Sequence, residues 1–250
     1  MKTEIFFFVY NRIDLLPKQI ECYRKFFKGE YNINVVCDYR EEQLYDIFHS
    51  PYVDEFEEIC KREGVNFYKH ESQHGLGPSH YHGNCVTWAY KNIMKGQEGY
   101  ALIVDNDMFL VDEFDMDEYM ADVDIAGRFQ ERGDVKYFWP GMIMMNLKAV
   151  EKYDFHFAPD TIRGEMLDSG GGTYVLLENL RYKDTGVEYP EDFNGIDLTA
   201  VDEGYGFELH GDQKFFHARN SCGWHRGYEI VEGSEKTKTI DTVLGVFLNG

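Results

Sequence analysis

Basic residues are scarce in this chain of 250 residues: 25 Lys and Arg stand against 45 Asp and Glu, a formal net charge of −20. No stretch gathers Lys and Arg into the stripe that would neutralise nucleic-acid phosphates, so a nucleic-acid partner is excluded. Long hydrophobic runs are missing too. The apolar run "IFFFV" near the start is far too short to span a membrane, and no small-residue cleavage site follows it. The expectation is a cytoplasmic protein with no transmembrane segment. Cysteine is sparse and unpaired in pattern: Cys22, Cys37, Cys60, Cys85 and Cys222 are odd in number, scattered, and form no CxxC. Reduced thiols fit that pattern, and a disulfide framework or cysteine-based zinc site does not. Internal repeats, low-complexity tracts and an obvious linker are likewise absent. "GLGP" lacks the Lys-Ser/Thr of a P-loop and the spacing of GxGxxG.

With 43% hydrophobic residues, the chain can bury one sizeable core. Unbroken apolar runs at Ile5–Val9, Ile33–Cys37, Val65–Lys69 and Ala101–Val104 fit strands covered on both faces by helices. The segments between them carry helical spacing. Leu15, Ile20, Tyr23 and Phe27 recur at about one turn, as do Val53, Phe56 and Ile59. Cys85, Trp88 and Met94 follow a Pro78 suited to a helix start. Strand–helix alternation predicts an α/β nucleotide-binding half over residues 1–110. Residues 111–250 are expected to form a less regular second half of the same domain, with strands at Asp124–Phe129, Gly141–Leu147 and Lys214–Ala218 and a helix at Thr173–Tyr182.

Ligands of open α/β sheets sit at the carboxyl ends of the parallel strands. Those ends hold Tyr10, Asn11 and Arg12; Asp38; the loop after Lys69; and Asp105, Asn106 and Asp107. Two carboxylates one residue apart repel each other unless a cation lies between or beside them, and oxygen ligands select hard ions such as Mg²⁺ or Mn²⁺. A solvated acidic turn is the alternative for any Asp-x-Asp. The "MFLV" that follows argues against simple exposure, and the spacing is not that of an EF-hand. His217 in "KFFHA" is a histidine at a strand end, where a structural role is usual, although neutral imidazole suits a mixed oxygen–nitrogen site. His225 is the fallback. His74, His80 and His82 match no zinc spacing and fit better as lining of a cleft or as a helix cap.

Taken in order, "FFFVYNRID", "VVCD", "ALIVDNDMFL", "GMIMMNLKAV" and "FFHARNSCGW" resemble the successive segments of GT-A-fold, DxD-containing glycosyltransferases. The resemblance implies a GT-A-like, Rossmann-type mixed sheet flanked by helices, as one domain. It implies that Asp105, Asp107 and His217 hold Mn²⁺ (or Mg²⁺) on the diphosphate of a UDP- or GDP-sugar. Val9, Tyr10, Asn11, Arg12, Asp38, Asn84 and Asn106 would contact the nucleotide-sugar. Trp139, Gly141, Met142 and Trp224 would line the sugar and a glycan or other hydroxyl acceptor. Asp168, before three glycines, is either a helix-capping residue or the catalytic carboxylate, a general base in an inverting enzyme or an oxocarbenium partner in a retaining one. Glu165, Asp160, Asp202 and Glu203 compete for that role. A sugar nucleotidyltransferase is a weaker reading, because "VYNRIDLLPKQ" lacks a glycine-rich basic loop; a non-catalytic carbohydrate-binding protein is the other alternative.

Overall fold

A computed structural model describes residues 1–39, 52–72, 77–199, 206–219, 221 and 235–249. His74, Asp202, Glu203, Cys222, Trp224 and His225 lie outside the described residues. A seven-stranded mixed sheet flanked by helices is the centre of the fold, as the resemblance implied. Its strands are β1 (Thr3–Val9), β2 (Tyr31–Tyr39), β3 (Asn66–Glu71), β4 (Tyr100–Asp105), β6 (Ile125–Arg132), β7 (Val135–Asn146) and β10 (Tyr182–Asp184). Across the sheet they run β10-β6-β7-β4-β1-β2-β3. β3, β2, β1 and β4 are mutually parallel, and β7 is antiparallel to both β4 and β6. Strands outside this sheet that shape the site are β5 (Met108–Leu110), the hairpin β8 (Asp160–Ile162) with β9 (Glu165–Leu167), and the hairpin β11 (Phe207–His210) with β12 (Phe215–Ala218).

The unbroken apolar run of β1 is explained by its two buried faces. Ile5, Phe7 and Val9 pack with Leu15, Ile20 and Tyr23 of helix α1 (Leu15–Phe26). Phe6, Phe8 and Tyr10 pack with Tyr81, Cys85 and Ala89 of helix α3 (Pro78–Ala89) on the other side. Side chains alternate along a strand, so the stretch from Ile5 to Val9, sandwiched between helices, is apolar throughout, with the polar Thr3 and Glu4 only at the start of the strand. Helix α2 (Val53–Glu63) ends at Gly64 in the left-handed conformation, the usual glycine stop. Helix α5 (Glu235–Asn249) packs on α1.

Most boundaries shift by one to three residues from the sequence expectations, and two shifts have a clear cause. The strand expected to begin at Gly141 begins at Val135, because Tyr137 and Phe138 are buried in the same ladder to β6. The helix expected over Thr173–Tyr182 is α4 (Tyr174–Asn179); it stops early because Tyr182 is drawn into a parallel pair with Ile125 of β6.

Candidate active site

At the carboxyl end of β4 the chain turns through Asp105, Asn106 and Asp107 into β5, and this turn is pinned from below by Gln19 of α1. The Gln19 Nε2 donates to the carbonyls of Asp105 (2.7 Å) and Met108 (2.8 Å). Its Oε1 accepts from Asn106 Nδ2 at 3.2 Å. Asn106 therefore points into the protein, and the two aspartates face the other way, into a cavity of about 240 Å³. This turn is no solvated loop: Asp105 and Asp107 are nearly sealed from solvent.

His217 arrives from the second half of the chain. β12 pairs antiparallel with β5, placing His217 opposite Met108. The Ala218 amide donates to the Asp107 carbonyl, and the Ser221 amide donates to Asp107 Oδ2 at 2.8 Å. His217 Nε2 lies 3.5 Å from Asp107 Oδ1. Ligand bonds of about 2.1 Å place two neighbouring ligands of one ion about 3 to 3.5 Å apart, so this pair fits a small divalent cation with little movement. Asp105 is engaged by His82 of α3, whose Nε2 lies 2.9 Å from Oδ1. Burial would lower the His82 pKa, but Asp105, with Asp38 and Asp107 further off, raises it.

His217 Nδ1 faces Glu208 Oε2 at 2.9 Å, across the β11–β12 pair. A carboxylate behind the ring fixes its orientation and leaves Nε2 toward Asp107. Burial would lower the His217 pKa; Asp107 and Glu208 overcome it and raise it to about 9. Glu208, His210 and His217 offer atoms close enough for an ion of their own. Glu208, however, also meets Arg128 Nη1 at 3.0 Å and Arg219 Nε at 3.2 Å. Two guanidiniums on a carboxylate compete with a metal for its lone pairs, so Glu208 orients His217 and Asp107–His217 is the better ligand pair. Burial would raise the Glu208 pKa, yet hydrogen bonds from His210 and His217 and the charge of Arg128 hold it well below the carboxylate range.

Trp139 forms a side wall, stacked on His210 at 6.1 Å and tilted toward His217 at 5.2 Å. Gly141 seats it: a Cβ there would fall 2.1 Å from the indole ring. Asp168 and Ser169 face the cavity from the loop after β9. The Asp168 amide donates to Tyr137 Oη (3.3 Å), and its Oδ1 accepts from the Ser169 amide (2.8 Å). The glycines that follow are sterically required. Gly170 has φ of 92°, and a Cβ there would lie 1.8 Å from the Phe138 carbonyl; one on Gly172 would strike His156 at 2.6 Å. Gly83 does the same for α3, whose His82 reaches the cavity because that helix lies directly on Phe157, where a Cβ would come within 2.3 Å.

At the far end of the rim, Asn11 and Asp38 are buried after β1 and at the end of β2. Asn11 Oδ1 and Asp38 Oδ2 have no hydrogen-bond partner among the described residues, while Asp38 Oδ1 accepts from Ser72 and faces His70 Nδ1 at 2.8 Å. Other expected residues are placed differently. Val9, Tyr10 and Met142 have their side chains in the core, and Asn84 is half-buried farther along α3. Arg12 grips Asp14 bidentately (2.8 and 2.7 Å) and the Ser221 carbonyl (3.1 Å). It thereby braces the segment that holds Asp107. Among the competitors of Asp168, Asp160 pairs with His156 at 3.3 Å and Glu165 is exposed.

The reading of the sequence missed Gln19, Arg128, Glu208 and Arg219. A signal existed for two of them: "FELH" alternates apolar and polar residues, so Glu208 and His210 share a face, and His217 and Arg219 share one across a short hairpin. Gln19 and Arg128 carry no local signal.

No family profile and no curated protein matches this chain. Solved structures similar to it include several named as glycosyltransferases. One similar structure is S. aureus TarS residues 1–349 in complex with UDP-GlcNAc, at 15% identity and TM-score 0.45, covering 100% of this chain and 72% of that one. Another is the mannosyltransferase PcManGT from Pyrobaculum calidifontis with GDP-Man and Mn²⁺, at 10% identity and TM-score 0.49, covering 80% and 57%. The galactosyltransferase LgtC with donor and acceptor sugar analogues matches at 13% identity and TM-score 0.37, covering 60% of each chain. In a further match to S. aureus TarS 1–349 this chain covers 50% of that chain, and in one to S. aureus TarS 30%.

Proposed function

We propose that this protein is a metal-dependent glycosyltransferase that moves a sugar from a UDP- or GDP-sugar to a hydroxyl acceptor such as a glycan. The observation that carries this reading is the meeting of Asp107 and His217 in one cavity, 3.5 Å apart. They lie at the carboxyl end of β4, where an α/β sheet binds its ligand. Asp107 and His217, with Asp105 beside them, hold Mn²⁺ or Mg²⁺. When bound, the ion offsets the charge that develops on the diphosphate leaving group.

The remaining roles belong to the chain. Gln19 keeps the Asp105–Asp107 turn aimed into the cavity, and Glu208 orients His217. Asn11 and Asp38, buried with unmatched acceptor oxygens, take donors of the nucleotide, because an unsatisfied buried acceptor is costly. Trp139 supplies an apolar face for a sugar ring. Asp168 is the catalytic carboxylate, positioned by Tyr137, Ser169 and the glycine turn. Residues 1–110 act as the nucleotide half and 111–250 as the acceptor half of one domain. The free cysteines Cys22, Cys37, Cys60 and Cys85, all buried, support a cytoplasmic setting.

The test is incubation with a panel of nucleotide-sugars and Mn²⁺, with assay of released nucleoside diphosphate. Slow donor hydrolysis that chelation abolishes is expected. Release of pyrophosphate from a nucleoside triphosphate and a sugar phosphate, with no donor hydrolysis, would replace this reading with a nucleotidyltransferase.

A further inference from the structure

The cavity wall farthest from the nucleotide end is cationic, which is unexpected in a chain of net charge −20. Two arginines make it, Arg128 and Arg219, both partly exposed and both lining the cavity. Their shared carboxylate is Glu208, so one buried negative charge faces two guanidiniums. Neutralising Glu208 alone would require only one of them. Arg219 uses Nε for Glu208, and its terminal nitrogens have no hydrogen-bond partner among the described residues. Arg128 meets both oxygens of Glu208 through Nη1 alone, and its Nη2 has only a long contact, 3.4 Å, to Tyr189 Oη. Planar guanidiniums with open nitrogens are suited to bidentate recognition of phosphate or carboxylate.

The β6–β7 ladder is interrupted beside Arg128: Gly127 pairs with Ile143 and Phe129 with Phe138, so the surplus residues, 139–142 with Trp139 among them, bulge from β7 opposite Arg128. The Arg128 guanidinium then lies 5.7 Å from the Trp139 ring centroid, and that of Arg219 lies 5.7 Å from that of Tyr189, which is exposed. Position in the sheet separates the backbone of Arg128 from the Asp105–Asp107 turn, whereas Arg219 reaches the wall from the end of β12, two residues after His217. β6 is two strands from β4, on the side away from β1 and β2, and thus about 10 Å beyond the Asp105–Asp107 turn.

We infer that Arg128 and Arg219 bind an anionic group, phosphate or carboxylate, carried by the acceptor or by the transferred sugar beyond the diphosphate. This rests on the transferase reading and names its substrate as acidic.

Calorimetry on the full chain tests it in stages. UDP or GDP is first titrated with Mn²⁺; because both arginines bond Glu208 behind His217, Arg128→Gln and Arg219→Gln are expected to cost some nucleoside diphosphate affinity, but less than they cost phosphate. Inorganic phosphate is then titrated into the loaded protein. Wild type binds it, each glutamine variant loses about tenfold or more, and Arg219→Lys, which keeps the charge, recovers part of the loss. Thermal unfolding of each variant identifies any that fail to fold, and Arg219→Gln, away from the β-bulge, is the milder change. Tighter binding of UDP-glucuronic acid than of UDP-glucose, lost in the variants, places the anion on the transferred sugar. Equal binding of the two, with phosphate binding intact, places it on the acceptor. Phosphate binding indifferent to both arginines, or nucleoside diphosphate affinity that falls with either as much as phosphate binding does, would overturn the inference. If no nucleoside diphosphate binds at all, the transferase reading fails, and phosphate titrated into the unloaded protein still tests the arginine wall.

Discussion

His217 is where the chemistry of single residues is most exposed to measurement. Asp107 and Glu208 flank its ring and hold its pKa near 9 against the lowering effect of burial. A raised pKa favours the charged form below it, so the ion pairs of His217 stabilise the metal-free fold below the ordinary histidine pKa of about 6.5 and are lost as pH rises through 9. A metal takes the neutral ring. Mn²⁺ affinity is therefore expected to rise with pH up to about 9, with proton release on binding; ring-proton NMR and calorimetry in buffers of different ionisation enthalpy would check both. Glu208→Gln removes one of the two carboxylates that raise this pKa and loosens the ring. The expected outcome is a lower His217 pKa together with a Mn²⁺ affinity reduced by about 10- to 100-fold, read by NMR titration and metal-binding calorimetry.

At the scale of elements, the site is held by close backbone approaches that only glycine permits. Gly170→Ala introduces a Cβ into the Phe138 carbonyl at a backbone angle that disfavours any side chain. A loss of about 2 to 4 kcal/mol is expected, seen as a lower Tm, together with reduced donor hydrolysis as Asp168 is displaced. These elements were unevenly legible. The apolar runs of β1, β2 and β4 declare themselves because both faces of each are covered, so nearly every residue must be apolar. The Asp105–Asp107 turn and His217 were likewise readable as polar residues at strand ends. What could not be read was anything set by register across the fold. Glu208 meets His217 through the β11–β12 pairing, Arg128 stands opposite a bulge in β7, and Gln19 reaches the turn from helix α1. Arg12 reads as a phosphate contact from its place on the rim, but Asp14, two residues away, claims its guanidinium.

For the whole molecule, the dominant fact is negative charge. A nucleoside diphosphate approaching a chain of net charge −20 is repelled at long range, and salt screens that repulsion over about 10 Å at 0.1 M. Association in the presence of Mn²⁺ is expected to quicken by a few-fold as ionic strength rises from about 0.01 to 0.15 M, the reverse of a protein steered by a basic surface; stopped-flow binding would show the sign. On the proposed function, the attraction that retains the ligand is local and comes through a metal ion at the Asp107–His217 site. The most direct measurement is calorimetric titration of UDP and GDP into wild type and Asp107→Ala, with and without Mn²⁺. Metal-dependent binding in wild type that disappears in Asp107→Ala is the predicted result. Equal affinity in the two proteins, or binding indifferent to the metal, would contradict the account.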